Sequence, residues 1–226
     1  MNERERLAEL LSEAGIESRF IPALAHFGEL LLETNRRFNL SGADSPEELA
    51  PHIVDSVLVA PFVRAPVVDV GSGGGLPAIP IAIVTGAPIT MVESTTKKAA
   101  FLEAALAQLE LHGSVIPERA ELAARHADLR EQFAGATARA VASAPSVLEL
   151  TVPFLKVGGV AVLQRGKMDE RERNAVGDAA PMLGAEVAEE RVLDGGRRLL
   201  LIRKVAPTPQ RFPRRTGVPE KRPLCY

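Results

Sequence analysis

Residues 67–77, Val67-Val68-Asp69-Val70-Gly71-Ser72-Gly73-Gly74-Gly75-Leu76-Pro77, restrict the possible folds of this chain more than any other stretch. A short apolar run with one acid fits a buried strand. The glycines at 71, 73, 74 and 75 then leave the turn almost without side chains. Backbone in such a turn can approach a ligand closely, and a helix that follows points its N-terminus into the site. The run from Val70 to Val92 carries no charge and is nearly long enough to span a bilayer. Gly71, Gly73, Gly74, Gly75 and Gly86, with Pro77, Pro80 and Pro88, break it instead into a turn, a helix and a second strand.

Around this motif the chain alternates strand and helix. Strands are expected at Val67–Val70, Ile89–Val92, Ser114–Ile116, Ala136–Val141 and Gly159–Leu163. Helices are expected near Ile79–Val84, over Lys97–Leu111, at Ala120–His126, at Ser146–Leu155 and at Asp169–Met182. A hairpin is expected from Glu186–Val192 and Arg198–Arg203, turning at Asp194-Gly195-Gly196. Such alternation implies an α/β fold, a mostly parallel sheet with helices on both faces. The first sixty residues read as helices. Leu7, Leu10 and Leu11 share one face, and Ile21, Leu24, Phe27, Leu30, Leu31 and Leu32 line a second helix. Ser45-Pro46-Glu47-Glu48 is a helix start, with an N-cap serine, a proline at N1 and early acids. The expected division is a helical cap over 1–62, an α/β domain over 63–205 and a tail over 206–226.

Spacing narrows the ligand. A dinucleotide turn, G-x-G-x-x-G, would need glycine at 76, where this chain has Leu76. The pattern acid-x-G-x-G-x-G of S-adenosylmethionine-dependent methyltransferases fits at Asp69, Gly71, Gly73 and Gly75. Asp69 could hold the ammonium group of a methionine moiety, directly or through water. Glu93 closes the second strand, where an acid accepts hydrogen bonds from ribose hydroxyls in both ligand classes. The bland alternative makes both acids helix caps. A sheet of this kind ending in an antiparallel hairpin is that of the class I, Rossmann-like methyltransferases, which have seven strands.

More of the chain then resembles one family. Asn39-Leu40-Ser41 before His52-Ile53-Val54-Asp55-Ser56 is similar to the N-L-T/S and H-I-x-D-S signature of the RsmG (GidB) family. Gly75-Leu76-Pro77-Ala78-Ile79-Pro80 resembles its G-L-P-G-I-P, Arg119-Ala120-Glu121 its R-x-E, and Ala138-Arg139-Ala140 its S-R-A. Phe212-Pro213-Arg214-Arg215 with Gly217, Pro219, Lys221 and Pro223-Leu224 resembles its tail motif. The departures are Ala78 for glycine, Glu93-Ser94 for Asp-Ser, and Gln164-Arg165-Gly166-Lys167 where many members carry Lys-Gly. The resemblance implies S-adenosylmethionine as methyl donor. It implies N7 of guanine 527, in the 530 loop of 16S ribosomal RNA, as acceptor. It also implies cofactor contacts at Gly71, Leu76, Ala120, Glu121 and Arg139, with Ala120 and Glu121 beside the adenine.

Chemistry and charge are in keeping with this. Guanine N7 carries a lone pair and no proton, so a positioning site suffices. The chain lacks an N/D-P-P-F/Y motif, and its single cysteine, Cys225, stands in the tail. Arg139 is the candidate positioning residue, bridging cofactor and RNA; the alternative is a structural ion pair with Asp55 or Glu121. Net charge is −2, yet Arg203–Tyr226 holds seven bases, one acid and five prolines. That composition predicts a non-helical basic arm able to follow phosphates, with Arg119, Arg165, Lys167, Arg211, Arg214, Arg215 and Lys221 as RNA contacts. Phe38 and Phe212 are candidate stacking platforms, Phe38 being the better fit to a core position. His52 and Asp55 share a helix face, either at the cofactor mouth or as a buried histidine–carboxylate pair. The remaining histidines show no metal-ligand spacing, and no metal is expected. A cytoplasmic monomer acting on 16S ribosomal RNA or the 30S subunit is the expectation, with no membrane partner. The rival readings are a small-molecule methyltransferase, a non-catalytic RNA-binding assembly factor and a nicotinamide-dependent oxidoreductase.

Overall fold

A computed structural model of the chain describes residues 2–139, 142–193 and 198–226. The described strands form one seven-stranded sheet, in the order β3-β2-β1-β4-β5-β7-β6. They are β1 (Val67–Val70), β2 (Ile89–Val92), β3 (Gly113–Ile116), β4 (Phe133–Arg139), β5 (Leu155–Arg165), β6 (Ala185–Val192) and β7 (Arg198–Lys204). β2 pairs in parallel with β3, and β4 with both β1 and β5. β7 runs antiparallel between β5 and β6. The hairpin turn expected at Asp194-Gly195-Gly196 lies outside the described residues, as do Ala140 and Val141. No helix among the described residues is long and apolar enough to cross a membrane.

The chain divides into two compact units. One comprises residues 1–61 and 72–117. Helix α1 (Glu3–Glu13) starts in a capping box: Asn2 Oδ1 accepts the Glu5 N–H at 2.8 Å, and the Glu5 carboxylate accepts the Asn2 N–H at 2.9 Å. Its Leu7 and Leu11 are buried with Leu24, Phe27 and Leu31 of α2 (Ile21–Asn35) and Leu49 and Ile53 of α3 (Pro46–Val57). Gly28 permits the close approach of α2, since a Cβ there would stand 2.7 Å from Leu7 Cδ1. Ser45 Oγ accepts the Glu48 N–H and Pro46 takes the first position of α3, as the sequence predicts. Helices α4 (Ala78–Thr85) and α5 (Thr96–Gln108) complete this unit with β2 and β3.

The other unit comprises residues 62–71 and 118–226. It holds β1, β4 to β7, α6 (Ala120–Ala123), α7 (Ala144–Thr151), α8 (Glu170–Met182) and α9 (Val218–Lys221). Ala136 and Ala138 of β4, Ala161 to Leu163 of β5, and Leu200 and Ile202 of β7 supply its core. The sequence reading of the tail needs correction here. A single helical turn, α9, forms despite the prolines, because Pro219 sits in its first turn, where the missing N–H has no intrahelical acceptor to lose. The preceding segment is tied to the connection between α6 and β4. Arg130 donates to the carbonyls of Ala124, Thr208, Pro209 and Phe212, and Arg125 to that of Pro213. Lys204, wholly buried, pairs with Glu131 at 3.0 Å and also donates to the Val152 carbonyl and Thr208 Oγ1.

Candidate active site

In the first unit the glycine turn is braced by an acid. Ser72 N–H donates to the Val92 carbonyl at 3.3 Å, and Gly75 N–H to that of Ser72 at 2.7 Å. Gly73 and Gly75 hold φ of 54° and 86°, the left-handed region in which a side chain is strained. Glu93, 7% exposed, stands at the end of β2. Its Oε2 accepts the Gly73 N–H at 2.9 Å and its Oε1 the Thr95 N–H at 2.7 Å. A carboxylate oxygen has two acceptor positions, so each oxygen keeps one for a further donor. Leu76 is buried, just before α4.

In the second unit Asp69 is buried on β1, where its Oδ1 accepts the Thr137 hydroxyl at 2.6 Å. Thr137 is its register partner on β4, a buried polar group that motif reading passes over. Gly71 follows with φ 72°. Glu121, only 2% exposed, stands in the first turn of α6 after Ala120. Its Oε1 accepts the Gly217 N–H at 2.7 Å and Arg119 Nη2 at 3.2 Å, while its Oε2 has no partner among the described residues. Burial, the largest influence on this carboxyl, pushes its pKa up. The N–H groups of Gly217 and of its own backbone, with the Arg119 guanidinium, outweigh burial and hold it below the usual range. Glu121 is therefore an anion at neutral pH. Arg139 is half-buried at the end of β4, paired in register with Gln164.

The basic candidates differ from one another. Lys167, Arg211, Arg215 and Lys221 are exposed. Arg119 is shared between Glu121 and Glu220, at 3.2 and 3.8 Å. Arg165 is engaged internally: it donates to the Ala142 carbonyl and pairs with Glu172 at 2.8 Å, and Glu172 also accepts the Ala144 N–H. Arg214 is engaged too, in a forked pair with the fully buried Glu149 of α7. The two phenylalanines exchange their expected places. Phe212 is buried, whereas Phe38 is 40% exposed with Lys97 Nζ 4.8 Å from its ring centre.

Residues 21–201 match the family model described as GidB, rRNA small subunit methyltransferase G. The chain belongs to this family. It is 42% identical to the ribosomal RNA small subunit methyltransferase G of Rubrobacter xylanophilus, an alignment covering 98% of this chain and 91% of that protein. It is 38% identical to the protein of the same name from Chloroflexus aggregans, over 99% of each chain. Solved structures share the fold at lower identity. The O-methyltransferase from Bacillus cereus in complex with SAH has a TM-score of 0.57 at 18% identity, covering 79% of this chain and 91% of that one. The branched-chain polyamine synthase mutein from Thermus thermophilus reaches 0.62 at 13% identity, covering 83% and 64%. Membership in the methyltransferase G family bears out the resemblance read from the motifs.

Proposed function

We propose that this chain transfers a methyl group from S-adenosylmethionine to N7 of guanine 527 in the 530 loop of 16S ribosomal RNA. The observation that carries the cofactor reading is the braced turn, in which the Glu93 carboxylate fixes Gly73 and retains acceptor capacity suited to ribose hydroxyls. The buried Oε2 of Glu121, without a protein partner among the described residues, suits an adenine amine. Asp69, Gly71, Gly73, Gly75, Leu76, Glu93, Ala120, Glu121 and Arg139 are the proposed cofactor contacts.

S-adenosylmethionine supplies, when bound, a methyl group on a positively charged sulfur. Guanine N7 brings its own lone pair, so no side chain has to remove a proton, and the acceptor gains a positive charge. The work left to the protein is orientation and exclusion of water. Arg139 positions the acceptor and acts as no base. Exposed Lys167, Arg211, Arg215 and Lys221 attract the phosphate backbone, and Phe38 offers a ring face to a splayed base. The 30S subunit or its RNA is the partner, and the reaction belongs in the cytoplasm.

The test uses purified protein, S-adenosylmethionine and 30S subunits lacking N7 methylation. Modified guanines are mapped by borohydride–aniline cleavage and mass spectrometry. One new N7-methylguanine in the 530 loop is expected. Methylation at another nucleotide would overturn the acceptor, and cofactor binding without transfer to any RNA would favour a small-molecule acceptor.

A further inference from the structure

The segment from Arg214 to Arg222 closes a loop pinned at both ends. Arg214 holds Glu149 and, through Nη2, also donates to the Arg222 carbonyl at 2.7 Å. The middle of the loop is anchored as well, for Ser146 Oγ donates to the buried Pro219 carbonyl at 2.7 Å. Gly217 lies between these anchors with φ 75°, and its N–H reaches the Glu121 carboxylate 96 positions earlier in the chain. Glu220 of the same loop stands 3.8 Å from Arg119, the second partner of Glu121. The loop thus supplies one of the two groups that hold Glu121 Oε1 and sets an acid beside the other, while Oε2 has no partner among the described residues.

We infer that the Arg214–Arg222 loop is a positioning element for the cofactor site, with Gly217 orienting Glu121 through its backbone N–H. This rests on the reading of Glu121 as a cofactor contact. A buried carboxylate with one oxygen fixed by a backbone donor has its second oxygen aimed before a ligand arrives. Preorganisation of that kind lowers the ordering cost of binding. Gly217 is suited to the part because a Cβ at this position would meet no atom within 4 Å, so space does not demand glycine. The left-handed backbone that aims its N–H does.

The test measures S-adenosylmethionine affinity by calorimetry on the full chain without RNA. Gly217→Asn keeps the N–H and tolerates the left-handed conformation, and should bind as wild type. Gly217→Pro deletes the N–H and, with φ fixed at about −65°, also the left-handed backbone that places it, and should bind roughly tenfold more weakly or worse, one hydrogen bond to a charged group being the lower bound. In a Glu121→Ala background the proline should add no further loss, because the glycine acts only through that carboxylate. Should proline disturb folding, as judged by thermal melting, Gly217→Val keeps the full chain and the N–H but disfavours the left-handed backbone that aims it, and should weaken binding in the same direction. Wild-type affinity in Glu121→Ala would overturn the cofactor reading of Glu121, and this inference with it. Weakened binding in Glu121→Ala with wild-type affinity in Gly217→Pro and in Gly217→Val, or additive losses in the double variant, would overturn the positioning role alone.

Discussion

Replacing Arg214 with alanine should destabilise the protein as a buried charge stripped of its partner does. Glu149 is fully buried and takes the Arg214 backbone N–H at 2.7 Å, Nε at 3.0 and 2.9 Å, and Nη2 at 2.6 Å. The alanine variant keeps only the backbone donor. Breaking a buried pair from one side costs about 3–5 kcal/mol. The Arg214 side chain is 27% exposed, so water can reach part of the vacated space and the lower end applies. A loss of about 3 kcal/mol, at about 2–4 °C per kcal/mol for a chain of this size, lowers the melting temperature by about 6–12 °C. Arg214→Lys should fall between, since an ammonium cannot make the fork. The double variant Arg214→Met/Glu149→Leu should recover to within about 1 kcal/mol of wild type, because neither charge is then left behind. Differential scanning calorimetry at neutral pH reads all three. If Arg214→Ala melts within about 2 °C of wild type, or the double variant is as unstable as the sum of single changes, the fork is not what holds the tail.

Three further outcomes follow from the geometry. Glu121 and Glu131 both titrate below the usual carboxylate range. Burial, the largest influence on each, raises the pKa. At Glu121 it is outweighed as described, and at Glu131 by the Thr208 N–H, Lys204 and Arg130. Their contribution is complete above the unfolded value of about 4.3 and is lost as pH falls through the lower folded values; acid melts of Glu131→Gln should show a shallower decline than wild type. Gly75→Ala puts a Cβ 2.7 Å from Ile79 Cδ1 at φ 86°, and calorimetric titration should show cofactor affinity reduced at least tenfold, about 1.4 kcal/mol; unchanged affinity would remove the turn from the site. Lys221→Ala should flatten the salt dependence of RNA binding by about 0.7–0.9 log units per log unit of salt, whereas Arg165→Ala should leave that slope alone and lower the melting temperature.

Local signals carried much of the fold. β1 and β2 begin and end where the apolar runs do, because interior parallel strands are buried on both faces. Helix α5 stops at Gln108, three residues before the periodicity does, as Glu110 turns left-handed at φ 53°. β5 was expected only from Gly159, yet it begins at Leu155. Its pairing with β4 jumps from Leu155 to Val160, and the residues between bulge at Gly158 with φ 86°. β4 likewise begins at Phe133 rather than Ala136. Within the site, the glycine turn and Glu93 were legible because their spacing is fixed by one strand–turn–helix unit and the next strand. The engagement of Arg165 and Arg214, the burial of Phe212 and the Gly217–Glu121 bond were not. Their partners are set by tertiary packing, and no periodicity encodes a glutamate 65 or 96 positions away.

The long reach of those tail contacts has a bearing on time as well as on place. Loop closure over 65 to 96 residues costs little more entropy than closure over a few dozen, but contacts of such separation form slowly and late in a folding reaction. The carboxylate proposed to recognise the cofactor therefore draws one of its partners from a segment 96 positions later in the chain. Interactions that form after the transition state govern unfolding more than folding. If the tail contacts form after the transition state, loss of the Arg214–Glu149 fork should raise the unfolding rate more than it lowers the folding rate, a split that chevron kinetics reads.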